Sequence, residues 1–214
     1  MRLYKFLNAK YGLKALQDKR LKISELTTLN DPFEQLPFDL SDPEMRKKFL
    51  KTKADREEKH GLFCFSRNWH NPVLWAHYSD NHKGLCLGFD ASDTQCTPVI
   101  YIAQPYPLTN EMMIQAVTNH DLEFANKMLY SKCDHWAYEE EIRIWLSLED
   151  RPRGHYFKDF DKDLRLAEVI VGMNSRITRR KLIQTLGRGH EGIEIRKVRP
   201  SYNAFKMVED ETEF

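Results

Sequence analysis

Asn71-Pro72-Val73-Leu74-Trp75-Ala76-His77-Tyr78-Ser79-Asp80-Asn81-His82-Lys83-Gly84-Leu85-Cys86-Leu87-Gly88-Phe89 sets a helix directly against a strand. Asn71 is a good helix start, and Pro72 suits the first helical position, where a backbone N–H has no intrahelical partner anyway. The helix is expected to run to about Asn81. Gly84 stops it, and Leu85 to Phe89 follow as a strand.

The same mixture continues outward in both directions. Leu3 to Phe6 reads as a strand, and Asn8 caps a helix to about Lys19 with Leu13 and Leu16 on its apolar side. Leu21 to Ile23 is a short strand. Asn30-Asp31-Pro32 and Pro37 then break regular structure between Leu29 and Pro37. Pro43 to Lys59 is charge-dense, with Met45 and Phe49 as its main apolar residues, and predicts a largely solvated helix. Leu62 to Ser66 is a buried-type strand, and Val99 to Ile102 is another. A helix is expected over Asn110 to Tyr130, then strands over Tyr138 to Leu148 and Leu166 to Val171. A basic helix over Asn174 to Leu186 and strands over Ile193 to Val198 and Ala204 to Val208 close the chain. No strict βαβ repeat is present, so the expectation is a single α+β domain over residues 1–214, with mixed or antiparallel sheets and flanking helices.

Composition narrows the function classes. Apolar content of 41% with 30% charged residues suits a globular chain and argues against disorder. A net charge of +1 gives no global electrostatic case for nucleic acid or membrane. The longest apolar runs are far shorter than a membrane span, and Lys5 interrupts the N-terminal apolar residues, so no signal peptide is expected and the location is expected to be cytoplasmic. None of Cys64, Cys86, Cys96 and Cys133 forms a Cys-x-x-Cys pair; reduced thiols are expected, with Cys64 and Cys86 as small core residues. His70, His77 and His82 lack the i, i+4 spacing that holds zinc on a helix, so no metal is expected.

Three stretches concentrate polar and aromatic chemistry. In a strand over Tyr138 to Leu148, period two puts Ile142, Ile144 and Leu146 on the core face and Glu139, Glu141 and Arg143 on the other. Two carboxylates at that spacing sit roughly 7 Å apart, near enough to split their acidities; the competing reading is a solvated face with an internal Glu–Arg pair. On the helix after Asn71, Trp75, Tyr78, Ser79 and His82 share a face, read either as a pocket wall or as packing with satisfied polar tips. Asn30-Asp31-Pro32-Phe33-Glu34 is a turn, mainly a scaffold that buries Phe33, with ligand contact through Asn30, Asp31 or Glu34 as a second role. No Gly-rich phosphate loop and no nucleophile elbow is present, and the basic residues from Arg176 to Arg188 read as a solvated face.

Taken in order, Leu3-Tyr4-Lys5-Phe6, Leu29 to Glu34, Phe63 to Ser66, Leu74 to Asp90, Lys132 to Arg143 and Glu168 to Gly172 resemble a widespread bacterial and phage-associated family of unknown function, along nearly the whole chain. That resemblance implies no established activity. A second resemblance is to ADP-ribosyltransferases of the Arg–Ser–Glu kind, through Arg2 or Lys5 on the first strand, the Ser66-ended strand and the Glu139-Glu140-Glu141 strand. It implies NAD as substrate, Glu141 holding the nicotinamide ribose and stabilising an oxocarbenium-like transition state, Glu139 positioning the acceptor, and Tyr78 or Trp75 stacking on nicotinamide. Ser66 lacks the usual Ser-Thr-Ser neighbours, and 75 residues separate it from Glu141. On this reading the site comprises Glu141 and Glu139 with Lys5, Ser66, Trp75, Tyr78, His82, Arg143, Asn30, Asp31 and Glu34. The partners are a small-molecule nucleotide and a protein or nucleic-acid acceptor, in a toxin or phage-defence setting. Two rival readings are a non-enzymatic ligand-sensing or interaction module, and a hydrolase or nuclease with Asp31, Glu34 and Glu141 around magnesium.

Overall fold

A computed structural model describes residues 1–148, 154, 156–188, 191–212 and 214. In chain order these form β1 (Arg2–Leu7), α1 (Ala9–Asp18), β2 (Arg20–Lys22), β3 (Ser24–Glu25), α2 (Pro43–Lys59), β4 (His60–Ser66), α3 (Pro72–Tyr78), β5 (Leu85–Ala91), β6 (Thr97–Pro98) and β7 (Ile100–Ile102). They continue with α4 (Asn110–Thr118), α5 (Leu122–Tyr130), β8 (Ser131–Cys133), β9 (Glu141–Ser147), β10 (Phe157–Asp159), β11 (Leu164–Val171), α6 (Arg179–Leu186), β12 (Glu194–Pro200) and β13 (Met207–Glu209). The α+β expectation holds. The main sheet runs β13-β12-β11-β5-β1-β4-β9-β6, with β3 also on β4. Only β11 and β12 pair in parallel within it. The short pairs β10–β2 and β7–β8 lie apart.

Strand parity divides the core. Leu3, Phe63, Phe65, Leu85, Leu87, Phe89, Ile142, Ile144, Val169 and Val171 face one side, where Ala15 and Leu16 of α1 and Leu182 and Leu186 of α6 cover them. On the other side Phe6, Cys86, Ile170 and Val198 meet Leu74 and Trp75 of α3. The parity read for Ile142 and Ile144 is therefore correct.

Local caps explain where helices begin. Asn8 accepts from the Tyr11 N–H, Asp42 from Met45 and Asn71 from Val73. Departures from expectation have equally local causes. The helix after Asn71 stops at Tyr78, because Asp80, Asn81 and His82 all turn left-handed with φ of 47°, 51° and 65°. The helix expected over 110–130 is two, because Asp121 caps a new one through the Glu123 and Phe124 amides after His120 turns left-handed. Glu139 belongs to a 3₁₀ turn over Asp134–Glu139, and the strand starts only at Glu141. The basic helix likewise starts at Arg179, after the Thr178 cap.

β1 and β4 are central neighbours that barely pair. Tyr4 opposite Ser66 is their one ladder position, whereas β1 and β5 pair at every residue from Arg2 to Leu7. The sheet therefore splits between β1 and β4, and the Lys5 ammonium reaches across to the Cys64 carbonyl at 3.0 Å.

Candidate functional site

The split opens into a cavity of about 630 Å³, a size typical of small-molecule sites. Tyr4, Lys5 and Phe6 line it from β1, and Cys64, Phe65 and Ser66 from β4. Leu74, His77 and Tyr78 of α3 form a wall, and Lys132, Trp136, Glu139 and Glu141 supply charge and a further ring. Leu29, Asn30 and Glu34 close the side formed by the turn.

One hydrogen-bonded chain joins the three polar stretches. Asn30 Nδ2 donates to the Tyr78 hydroxyl at 3.1 Å, and that hydroxyl donates to Glu139 Oε1 at 2.5 Å. Lys132 Nζ donates to Glu139 Oε2 at 2.5 Å and to Glu141 Oε2 at 3.1 Å. Arg143 Nε donates to Glu141 Oε1 at 3.0 Å, while its Nη2 donates to Glu34 Oε2 at 2.9 Å. Arg143 Nη1 also reaches the Leu129 carbonyl at 2.9 Å. Glu34, Lys132, Glu139, Glu141 and Arg143 are all buried, so this is no solvated strand face. Burying such charges is tolerable only because each is paired and hydrogen-bonded.

The acidities follow from that pairing. Burial alone would raise Glu141, but Arg143 and Lys132 outweigh it and hold its carboxyl down to about 2. Burial also opposes the charge on Lys132, yet Glu141 and Glu139 together raise its pKa above the ordinary lysine value. Glu34 shifts the other way: burial, aided by repulsion from Glu141, raises it despite Arg143. The Tyr78 phenol is raised by burial and then by Glu139, so it stays a donor. Tyr101 donates no charge to the site but accepts the Glu141 amide N–H at 2.8 Å, which anchors the start of β9.

The structure brings together most of the residues singled out from sequence. Lys5, Asn30, Glu34, Ser66, Tyr78, Glu139 and Glu141 all line the cavity. Arg143 stands behind Glu34 and Glu141, with no exposed surface. Asp31 accepts the Phe33 amide at 2.9 Å and shapes the turn, so its part is structural. Two assignments are corrected. Trp75 is fully buried in the second core, edge-on to Phe6, with its indole N–H on the Trp69 carbonyl at 2.6 Å; it cannot stack on a ligand. His82 lies beyond the end of α3 in the left-handed turn and does not line the cavity. The turn also does not bury Phe33, which is 65% exposed. Cys86 is a core residue as expected, whereas Cys64 lines the cavity.

Lys132 was missed. It comes from β8, outside the main sheet, so no periodicity within β9 points to it. Trp136 also lines the cavity, its ring 5.0 Å from the Lys132 ammonium. His77 completes the wall, its Nδ1 2.9 Å from the Tyr138 hydroxyl.

Chemically, the buried network contains three carboxylates and two cations, and Lys5 brings a third cation to the same cavity. Lys5 is the further ammonium at the wall, and it rests on a neutral carbonyl rather than on a carboxylate.

Residues 74–144 match the model of a family described as a protein of unknown function (DUF2971). The matched segment runs from α3 into β9 and carries Tyr78, Lys132, Glu139, Glu141 and Arg143. No curated protein and no solved structure matches the chain.

Proposed function

We propose that the cavity binds NAD and breaks its nicotinamide–ribose bond, passing ADP-ribose to a nucleophile on a protein or nucleic acid. The observation that carries this reading is the convergence of Ser66, Tyr78 and Glu141 on one cavity. The C1′–N bond breaks, its electron pair neutralises the pyridinium nitrogen, and positive charge passes to the ribose ring. The Glu141 carboxylate, held in its charged form by Arg143 and Lys132, stabilises the charge where it appears, the effect that usually dominates catalysis. The acceptor's O–H or N–H attacks C1′ and gives its proton to a carboxylate, a role suited to Glu139. Tyr78 or Trp136 offers a ring to nicotinamide, and Lys5 offers charge to a phosphate. A toxin or phage-defence effector is the setting proposed for this activity.

A second reading has a specific observation in its favour. Both Glu141 oxygens are already engaged by Lys132 and Arg143, as in a structural network. On that reading the cavity is a ligand-sensing module. The nuclease reading loses ground: among the described residues, Asp31, Glu34 and Glu141 do not bring ligand atoms within 4.8 Å of one another.

Incubation with adenylate-labelled NAD and with protein or nucleic-acid extracts, beside Glu141→Gln, separates these. The transferase reading expects label transfer or nicotinamide release, reduced about 10²–10³-fold in the variant. A thermal shift with NAD but no turnover supports the sensor. The absence of both turnover and a thermal shift with NAD refutes an NAD site.

A further inference from the structure

Outside the cavity, a second group of side chains has the chemistry of a binding site. At the junction of β8 and the 3₁₀ turn, Cys133 Sγ lies 3.5 Å from His135 Nδ1 and 3.8 Å from Asp134 Oδ1. One ligand atom from each of the three lies within 4.8 Å of the others. A tetrahedral zinc ion with Zn–S near 2.3 Å and Zn–N or Zn–O near 2.1 Å sets its sulfur about 3.6 Å from each neighbouring ligand. These two separations bracket that value. Asp134 and His135 are exposed and Cys133 half-buried, so the trio is reachable from solvent.

We infer that Cys133, Asp134 and His135 bind a divalent cation of borderline softness, zinc by preference, with the fourth position open to water or to a ligand from a partner. The donor set selects the ion. A thiolate and an imidazole disfavour magnesium and calcium, and the carboxylate moderates the preference for copper(I). Binding releases the thiol proton to solvent and leaves every donor's oxidation state unchanged.

The position gives the ion a consequence. Lys132 immediately before the trio and Trp136 immediately after it both line the cavity. Glu139 ends the same 3₁₀ turn. An ion held by three consecutive residues fixes the start of that turn, and so fixes the entry of Trp136 and Glu139 into the cavity. This inference stands whatever reaction the cavity performs.

Zinc(II) is titrated into the full chain in competition with a chromophoric chelator, beside Cys133→Ser and His135→Ala. The expected result is one equivalent bound by the parent, with at least about tenfold weaker binding in each variant, because deleting a ligand costs no less than deleting its outer-shell support. Cobalt(II) should give a thiolate charge-transfer band and intense tetrahedral d–d bands, both lost in Cys133→Ser. Exposed His135 predicts a metal-free variant with an unaltered thermal midpoint, and the midpoint of the half-buried Cys133→Ser variant is measured beside it. If either midpoint falls, Asp134→Asn replaces that variant and should also weaken binding. No binding under a large excess of zinc, or equal affinity in the parent and the variants, overturns the inference.

Discussion

Replacing Lys132 by methionine tests the buried network most directly. The substitution keeps the length and the apolar stem and removes only the ammonium between Glu139 and Glu141, at 2.5 and 3.1 Å. Two buried carboxylates then face each other with Arg143 as the remaining cation, already shared with Glu34. Removing one partner of a buried ion pair typically destabilises by about 3–5 kcal/mol. The pH dependence gives the sign. In the parent, Glu141 is held at about 2, below its unfolded value of roughly 4.3. Its stabilisation is present above the unfolded value and is lost as pH falls toward 2. In the variant, Glu141 loses Lys132, one of the two cations that hold its carboxyl down, and its folded pKa rises. The destabilisation relative to the parent is therefore largest at neutral pH and shrinks as pH falls through that raised value. Urea unfolding at pH 7 and at pH 4.5, with slopes checked for two-state behaviour, reads both quantities. The exposed Lys127–Glu123 pair is the control, where Lys127→Met should change little. A loss under about 1 kcal/mol at pH 7, or a loss that grows in acid, would refute the account of Lys132 as the central cation.

Three other outcomes follow from particular contacts. An added Cβ at Gly84 would lie 2.1 Å from the Leu7 carbonyl oxygen, so Gly84→Ala should destabilise by about 3 kcal/mol and lower the thermal midpoint by roughly 6–12 °C. Asn71→Ala removes both the helix cap and the bond to the Tyr138 carbonyl, and should lose about 1–2 kcal/mol in urea titration; Asn71→Asp, which keeps the cap, should lose less. In acid titration followed by circular dichroism, the parent should lose the Glu141 contribution between about pH 4.5 and 2, and Glu141→Gln should show a flatter loss in that window.

How much of this was legible depended on the range of the cause. Asn8 and Asn71 announce their helices because a cap acts on amides two or three residues away. The limits of Pro43–Lys59 were readable for the same reason. Left-handed residues were not: His120 sits inside an apolar pattern that reads as one helix, and Asp80 to His82 carry no glycine to announce the turn. Trp75 and Tyr78 show the limit of helical spacing. Three residues apart on α3, they diverge, one into the core and one to the cavity, because the boundary between core and cavity passes between them.

The carboxylates make the sharper case. Period-two spacing placed Glu139 and Glu141 together, and together they are, but not as neighbours on one strand face. Glu139 ends a 3₁₀ turn, and Glu140, left-handed at φ 45°, redirects the chain so that Glu141 opens β9 beside Ser66. What aligns the two carboxylates is therefore the common cation, Lys132, reaching in from β8. That cation is accessible only because β1 and β4 separate after a single pair. Had Lys5, Phe6 and Leu7 continued the ladder with β4, main-chain bonds would fill the space where the cavity stands. The site is thus a property of an interrupted pairing: side chains show which residues are fit for chemistry, and the missing backbone ladder decides where they can act.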